Sequence, residues 1–536
     1  MNHVYRVVFN HALKCVQVVS EFSRSRSTVS PSAARRAPQL AALSTAIALS
    51  CAAPAALAID TTWVGAPGDE WDDAGNWSAG VPTDRGMNPN DMAYVNSGGV
   101  RITGTHVPDA DEVHIANTGA ARLDIFAGGR LDTNTIFMAT QPGSLALVTI
   151  NGPGSQWNAR YSIGVGHFAT GELSILNGGS MSIGDARFIA SMGGSTGIVR
   201  ISGAGSTWNT GNTFFAGQAG NGTLEVTGGG LLNARDTFVG NLGGSVGQIT
   251  VSGTGSHAEH AGQLVVGNEG RGTYLVAAGG SVNAGSVLLG VNNGSRGDVT
   301  VSGAGTTWTS SSLTVGEPGP GSFTVTDGAT AEIGGGIILA RNASANGTIT
   351  VGPNALMIVG TQSTNAVVFN GAGTSRFEMA GGTLRTFNDT SLETGVLLSA
   401  DSSFDVDGSL TVTRGLSGTG NLSKIGTGTL ALQADNSAWS GALQVSQGTL
   451  NLAHSAALGN GWLGMADGTT LGLSDGVNFN NSVQMLGEVA VVVADGESAT
   501  LAGNVSGGSS TTLVKRDAGT LTLGGRTVGG PRVEGG

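Results

Sequence analysis

The chain has 536 residues, of which 91 are glycine and 13 proline; 12% are charged and 39% hydrophobic. Glycine at roughly 17% against an ordinary 7%, with no glycine at every third position, excludes collagen, and this hydrophobic content excludes a flexible linker. The shortage of Lys, Glu and Arg, which cover the exposed faces of helices, points instead to strands joined by glycine turns, an all-β chain built from repeats.

Charge is distributed unevenly. Six of the 25 basic residues but one of the 37 acidic ones lie before residue 59, so that stretch carries +5 and the remainder −17. After Arg35-Arg36, an apolar run from Leu40 to Leu57 ends in Ala56-Leu57-Ala58. A basic region, an apolar region and an A-x-A site in this order predict a secretory signal peptide cut between Ala58 and Ile59, hence passage through the Sec export machinery. Ser44, Thr45, Ser50 and Pro54 interrupt the run and argue against a membrane anchor. Both cysteines, Cys15 and Cys51, fall in the leader, so the exported part has no disulfide, as suits a chain threaded unfolded through an oxidising periplasm. Ala48, where a lipoprotein site usually has Leu, argues against lipidation of Cys51.

A signal peptide does not need the first 25 residues. Met1-Asn2-His3-Val4-Tyr5-Arg6-Val7-Val8-Phe9-Asn10, followed by Val18-Val19-Ser20-Glu21, resembles the extended signal peptide region of large type V secreted proteins of Gram-negative bacteria. Phe9 stands where that pattern often has Trp.

From Trp63 to Pro82 the texture is different, with Asp69-Glu70-Trp71-Asp72-Asp73 and then Gly75-Asn76-Trp77. Residues 59–100 are expected to cap the repeats that begin near residue 101, and the acidic group reads as a solvated turn rather than a calcium loop.

Residues 101–415 repeat. Val148-Thr-Ile-Asn-Gly152-Pro-Gly-Ser-Gln-Trp157 returns at Gly203 with Trp208, at Gly253 with Ala258, and at Gly303 with Trp308, the glycines 51, 50 and 50 residues apart. Phrases ending in Gly128-Gly129, Gly178-Gly179, Gly229-Gly230 and Gly279-Gly280 alternate with them. Gly171, Gly197, Gly222, Gly247, Gly272, Gly297, Gly321 and Gly347 open strand-like runs at steps of about 25 residues. Such a unit cannot bury its own apolar face, whereas stacking units at about 4.8 Å per layer buries one interior and pairs every backbone with the coil above and below. The pattern predicts a right-handed parallel β-helix of about 25-residue coils, on the order of 17 of them, with glycine at corners that need φ > 0. A β-propeller with 50-residue blades is the rival; the internal 25-residue step disfavours it.

Across residues 416–536 the phrase changes. Leu422-Ser-Lys424-Ile-Gly426-Thr-Gly428-Thr-Leu-Ala-Leu432 begins again at Leu513-Val-Lys515, with Lys and Gly both displaced by 91 residues. It resembles the autotransporter-associated β-strand repeat. With the leader, the resemblance implies an autotransporter passenger, exported to the cell surface or outer membrane of a Gram-negative bacterium or beyond it. A membrane barrel of the kind that would carry it there is not found in this sequence, and the expectation is a fragment or export through another chain.

Several motifs invite chemistry. Gly193-Gly-Ser195-Thr-Gly197 and Gly243-Gly-Ser245-Val-Gly247 match a nucleophile elbow but recur one repeat apart, which an elbow does not do. Arg296-Gly297-Asp298 spells the integrin-binding tripeptide and is the candidate adhesion motif, although Gly297 is a repeat glycine. Trp157, Trp208 and Trp308 share one phase and are candidates for a glycan-stacking ladder. His257-Ala-Glu259-His260 lacks the further ligands of a zinc site. No metal, cofactor or catalytic residue is expected, and the acidic exported part argues against nucleic-acid binding. The expectation is a non-enzymatic adhesin or aggregation factor that meets a host or neighbouring-cell surface ligand. The alternatives are a β-helical polysaccharide-active enzyme, or a two-partner secreted exoprotein.

Overall fold

The computed structural model describes residues 5–10, 15–20, 60–82, 91–104, 109–361 and 365–534. It divides into two compact units, Met1–Ala55 and Ala56–Gly536. In the first, Tyr5–Asn10 pairs antiparallel with Cys15–Ser20, Tyr5 opposite Ser20. The cleavage junction Ala58–Ile59 and Cys51 lie outside the described residues.

The second unit is a parallel β-helix of about 18 turns averaging about 24 residues. Each coil of its central part has three strand runs, as in Thr196–Ser202, Thr207–Asn209 and Thr213–Ala216. One face is a 15-stranded parallel sheet, from Asp69–Glu70 to Leu416–Gly418. The other two faces meet at a corner, which single long strands such as Gln156–Val165 and His257–Val266 turn by a break in register. Among the described residues no helix is long and apolar enough to cross a membrane.

Alternation drives this arrangement, because in a strand every second side chain faces inward. Val199 and Ile201 are buried while Arg200 and Ser202 face out. In-register stacking turns each inward position into a column: Val148, Leu173, Val199, Leu224, Ile249 and Tyr274 follow one another through successive coils, none more than 2% exposed. Each such side chain contributes about 1.5–3 kcal/mol of transfer free energy, which only the neighbouring coils make available.

Residues 60–82 form the first coil, Thr61 pairing with Ala93 and Asp69 with Val100. Trp63, Trp71 and Trp77 fill it, in edge-to-face contact at 5.2 and 4.7 Å, with Trp77 Nε1 donating to the Trp71 carbonyl at 2.7 Å. Aromatic bulk thus closes the end of the stack, where among the described residues no coil lies beneath. The acidic turn is knitted to backbone: Asp69 accepts from the Ala66 amide and Asp73 from the Gly75 amide, at 2.8 and 2.9 Å.

The expected coil of about 25 residues holds on average, and one expectation, on the glycines, needs correction. The coil does not keep one length: Leu410, Leu430, Leu450 and Leu471 are direct neighbours at steps of 20, 20 and 21 residues, and the shortening begins at Phe377, which pairs with Val396. The cause is the first face, whose strands shrink from seven residues in Thr196–Ser202 to three in Leu416–Gly418. Nor do all repeat glycines serve positive φ. Gly152, Gly203, Gly253 and Gly303 do, with φ between 91° and 95°. Gly171, Gly197 and their equivalents instead sit where a Cβ would strike backbone: at Gly297 it would collide with the Val266 carbonyl of the coil below.

Candidate binding surface

The two elbow-like serines are turn closures. Ser195 Oγ donates to the Met192 carbonyl, Ser245 to Leu242 and Ser295 to Asn292, each at 2.7 Å, and both Ser195 and Ser245 are buried. The hydroxyl caps the same tight turn in each of these coils.

Arg296-Gly297-Asp298 lies inside the regular strand Arg296–Ser302. Gly297 is buried, and the flanking side chains pair with each other on the outer surface, Arg296 Nε to Asp298 Oδ2 at 2.6 Å and Nη2 to Oδ1 at 2.9 Å. Ser322 of the next coil also donates to Asp298, at 2.6 Å. The same i, i+2 pairing joins Arg122 to Asp124, Arg130 to Asp132 and Arg376 to Glu378. In a strand, residues i and i+2 share a face, so an outward Arg and an outward acid two apart find one another. The tripeptide is therefore one of a set of surface ion pairs and is not displayed on a loop.

Trp157, Trp208 and Trp308 do share one column, but it faces inward and their exposures are 0, 0 and 1%. Met181 separates the first two rings, and Leu232, Ala258 and Val282 lie between the second and third. Alternation with the outward residues on either side forces this, and a glycan in solvent has no access to these rings. The period of two coils spaces bulky rings so that smaller residues fill between them.

Ala258 leaves room where other repeats have Trp. His260 turns inward two residues later and fills it, with Tyr274 beside it, both fully buried. His260 Nδ1 hydrogen-bonds the Thr237 hydroxyl at 2.7 Å and Nε2 the Tyr274 hydroxyl at 2.8 Å. Burial lowers the imidazole pKa to about 3 and raises that of the phenol. His257 faces out, 3.5 Å from Glu259, so the two histidines point to opposite sides of the sheet. Among the described residues no group of three or more His, Cys, Asp or Glu is placed to hold a metal.

One further surface feature was not evident from the motifs. A column of outward strand positions on the third face runs through twelve coils from Tyr94 to Phe369, through His114, Phe137, Phe188, Phe215, Phe238 and Leu288; its members are half-buried, except Gly164, Val265 and Thr314, which are buried, and Phe369, which is exposed. Rings stack along it: Tyr94 on His114 at 4.8 Å, His114 on Phe137 at 5.3 Å, and Phe188, Phe215 and Phe238 at successive 5.3 Å steps. At Gly164 the column has no side chain, and the His167 ring folds over the gap, 5.0 Å from Phe137. Phe168, Met192, Leu242 and Val367 stand exposed, between 38 and 47%. The sequence signal is a broken alternation: Phe214-Phe215, Phe238-Val239 and Leu288-Leu289 put an apolar residue at the outward position beside the inward one.

Residues 1–51 match the family model described as the Extended Signal Peptide of Type V secretion system. No curated protein matches the chain.

Proposed function

We propose that this chain, which carries a type V secretion leader ahead of a passenger-like β-solenoid, is a non-enzymatic adhesin or aggregation factor of the cell surface. The observation that carries this reading is the outward column from Tyr94 to Phe369. At about 4.8 Å per layer it extends roughly 55 Å. A rigid rod with half-buried aromatic rings stacked along one side, and Phe168, Met192, Leu242, Val367 and Phe369 exposed, suits attachment along its length, since apolar surface left in water marks an interaction site.

The test displays or applies the exported rod and scores cell attachment and autoaggregation against a triple variant, Phe188→Ser, Phe215→Ser and Phe238→Ser. The wild type is expected to raise one of the two, and the variant to lose that effect while keeping its β circular-dichroism signal. A wild-type rod that changes neither property sinks the proposal.

A further inference from the structure

A second surface feature lies at the corner between the second face and the third. A groove of about 570 Å³ crosses four coils there, its wall formed by Asp132, Asn158, Ser182 and Asn209, which succeed one another in register. Polar side chains recur once per coil, a spacing comparable with that of units in a linear sugar chain. Asp132 is already held, by Arg130 at 2.9 Å and by Asn158 Nδ2 at 2.7 Å.

The groove carries more positive charge than this pair needs. Arg160 lines it, is exposed, and has no carboxylate partner among the described residues; its guanidinium lies over the Tyr161 ring at 5.6 Å. Arg187 is fully buried immediately behind the wall. It donates through Nη2 to the carbonyl of Ile183, a wall residue, and a Cβ on Gly211, another, would lie 2.9 Å from that nitrogen. Its Nε and Nη1 have no hydrogen-bond partner. An unpaired buried guanidinium is costly, and an outward strand partner such as those of Arg122 or Arg296 is denied to it by its inward position. The acid nearest in sequence, Asp185, is exposed and attracts the guanidinium by charge, without a hydrogen bond to it. The groove's own lining thus holds two arginines, Arg130 and Arg160, against one carboxylate, Asp132, with Asp111 bound to the lining Asn134 and Arg187 behind the wall, on a solenoid whose sequence after residue 58 carries −17.

We propose that this groove binds an acidic polysaccharide, with the amide and hydroxyl column hydrogen-bonding sugar hydroxyls and Arg160, backed by Arg187, receiving the anionic substituent. Carboxylate and sulfate groups offer the same chemistry to a guanidinium. The proposal deepens the adhesin reading, on which it rests, by giving it a ligand class, and its wall of Asp132, Asn158, Ser182 and Asn209 is on the second face, apart from the column on the third.

The chain from Ile59 onward, within the compact unit that begins at Ala56, is passed over immobilised polygalacturonate, dextran sulfate and neutral dextran. Retention on at least one anionic polymer and none on dextran is expected. Retention by polygalacturonate alone assigns a uronate, and by dextran sulfate alone a sulfated sugar. Arg160→Glu should weaken binding at least tenfold with an unchanged melting temperature. Arg187→Met should weaken it as well. Should that variant unfold, Asn158→Ala on the surface provides the second reading of the same wall. Arg376→Glu, on another face, should leave binding within twofold. No binding to either anionic polymer, or an equal loss with Arg376→Glu, overturns the proposal. A rod that promotes cell attachment yet ignores both polymers refutes the groove and leaves the adhesin reading standing; the reverse result refutes the adhesin reading alone.

Discussion

Inside the solenoid, the imidazole of His260 is bonded to the Tyr274 hydroxyl at 2.8 Å, in the space that a tryptophan occupies two coils earlier and two coils later. The sequence exchanges Trp followed by a small residue, as in Trp308-Thr-Ser310, for Ala followed by a large one, Ala258-Glu-His260. Bulk is conserved across the pair while polarity is not. The buried nitrogens must then be satisfied by Thr237 and Tyr274.

Tyr274→Phe removes one of those partners without changing shape. It should cost about 1–3 kcal/mol, the penalty for leaving a buried polar atom unpaired. Ala258→Trp alone overfills the coil, whereas Ala258→Trp with His260→Ser restores the pattern of Trp308 and Ser310. Denaturant midpoints should show the double variant more stable than the sum of its single changes; simple additivity would mean the two positions do not share one space.

The buried imidazole makes the rod sensitive to acid. The folded pKa, about 3, is below the ordinary 6.5, so the unfolded chain takes up the proton first. The stability gained by keeping His260 neutral is complete above pH 6.5 and is lost as pH falls from there towards 3. The limit is about 5 kcal/mol, at 1.36 kcal/mol per unit. Urea midpoints at pH 7 and pH 4 should separate the wild type from the double variant Ala258→Trp, His260→Ser, whose acid dependence should be shallower.

Lys424 occupies an inward column position next to Phe404, and its ammonium reaches the carbonyls of Ile425 at 3.2 Å, Gly426 at 2.6 Å and Gln447 at 3.1 Å. It thereby ties two coils together. Lys515, its counterpart in the next copy, grips two carbonyls, those of Arg516 and Asp517, in an exposed setting. Lys424→Ala should destabilise by about 1–3 kcal/mol and Lys515→Ala by less than about 1 kcal/mol. Burial lowers the Lys424 pKa to about 8 against Asp405 and Asp407, which raise it. The unfolded lysine holds its proton up to about 10.5, so the penalty of charging the buried group is present below pH 8. Stability should rise with pH from 8 to 10.5 in the wild type relative to Lys424→Met.

Gly297→Ala tests close approach against display. The added Cβ meets the Val266 carbonyl, so a loss of about 3 kcal/mol or more is expected in thermal unfolding. Arg296→Ala and Asp298→Ala remove an exposed pair and should each cost less than about 1 kcal/mol while leaving cell attachment unchanged. Attachment that falls with Arg296→Ala in a folded rod would restore the tripeptide as an adhesion motif.

Much of this protein is a one-dimensional problem. Alternation says which residues face inward, the 25-residue step says which residues stack, and the first 51 residues give the export route, so architecture and export were legible from Val148, Val199 and Gly297 and from the leader. What a repeat read along the chain cannot show is the side of the sheet on which a shared phase falls and what lies across the interior from it. Trp157, Trp208 and Trp308 kept phase yet faced the core, because Gln156 and Asn158 took the outward positions. Arg187 takes an inward strand position that sends it behind the groove, and Phe215, next to the buried Phe214, takes an outward one. Those outcomes depend on the corner at which two faces of a coil meet and on contacts between residues some 25 apart. Only closure of the coil and stacking of its neighbours create either one.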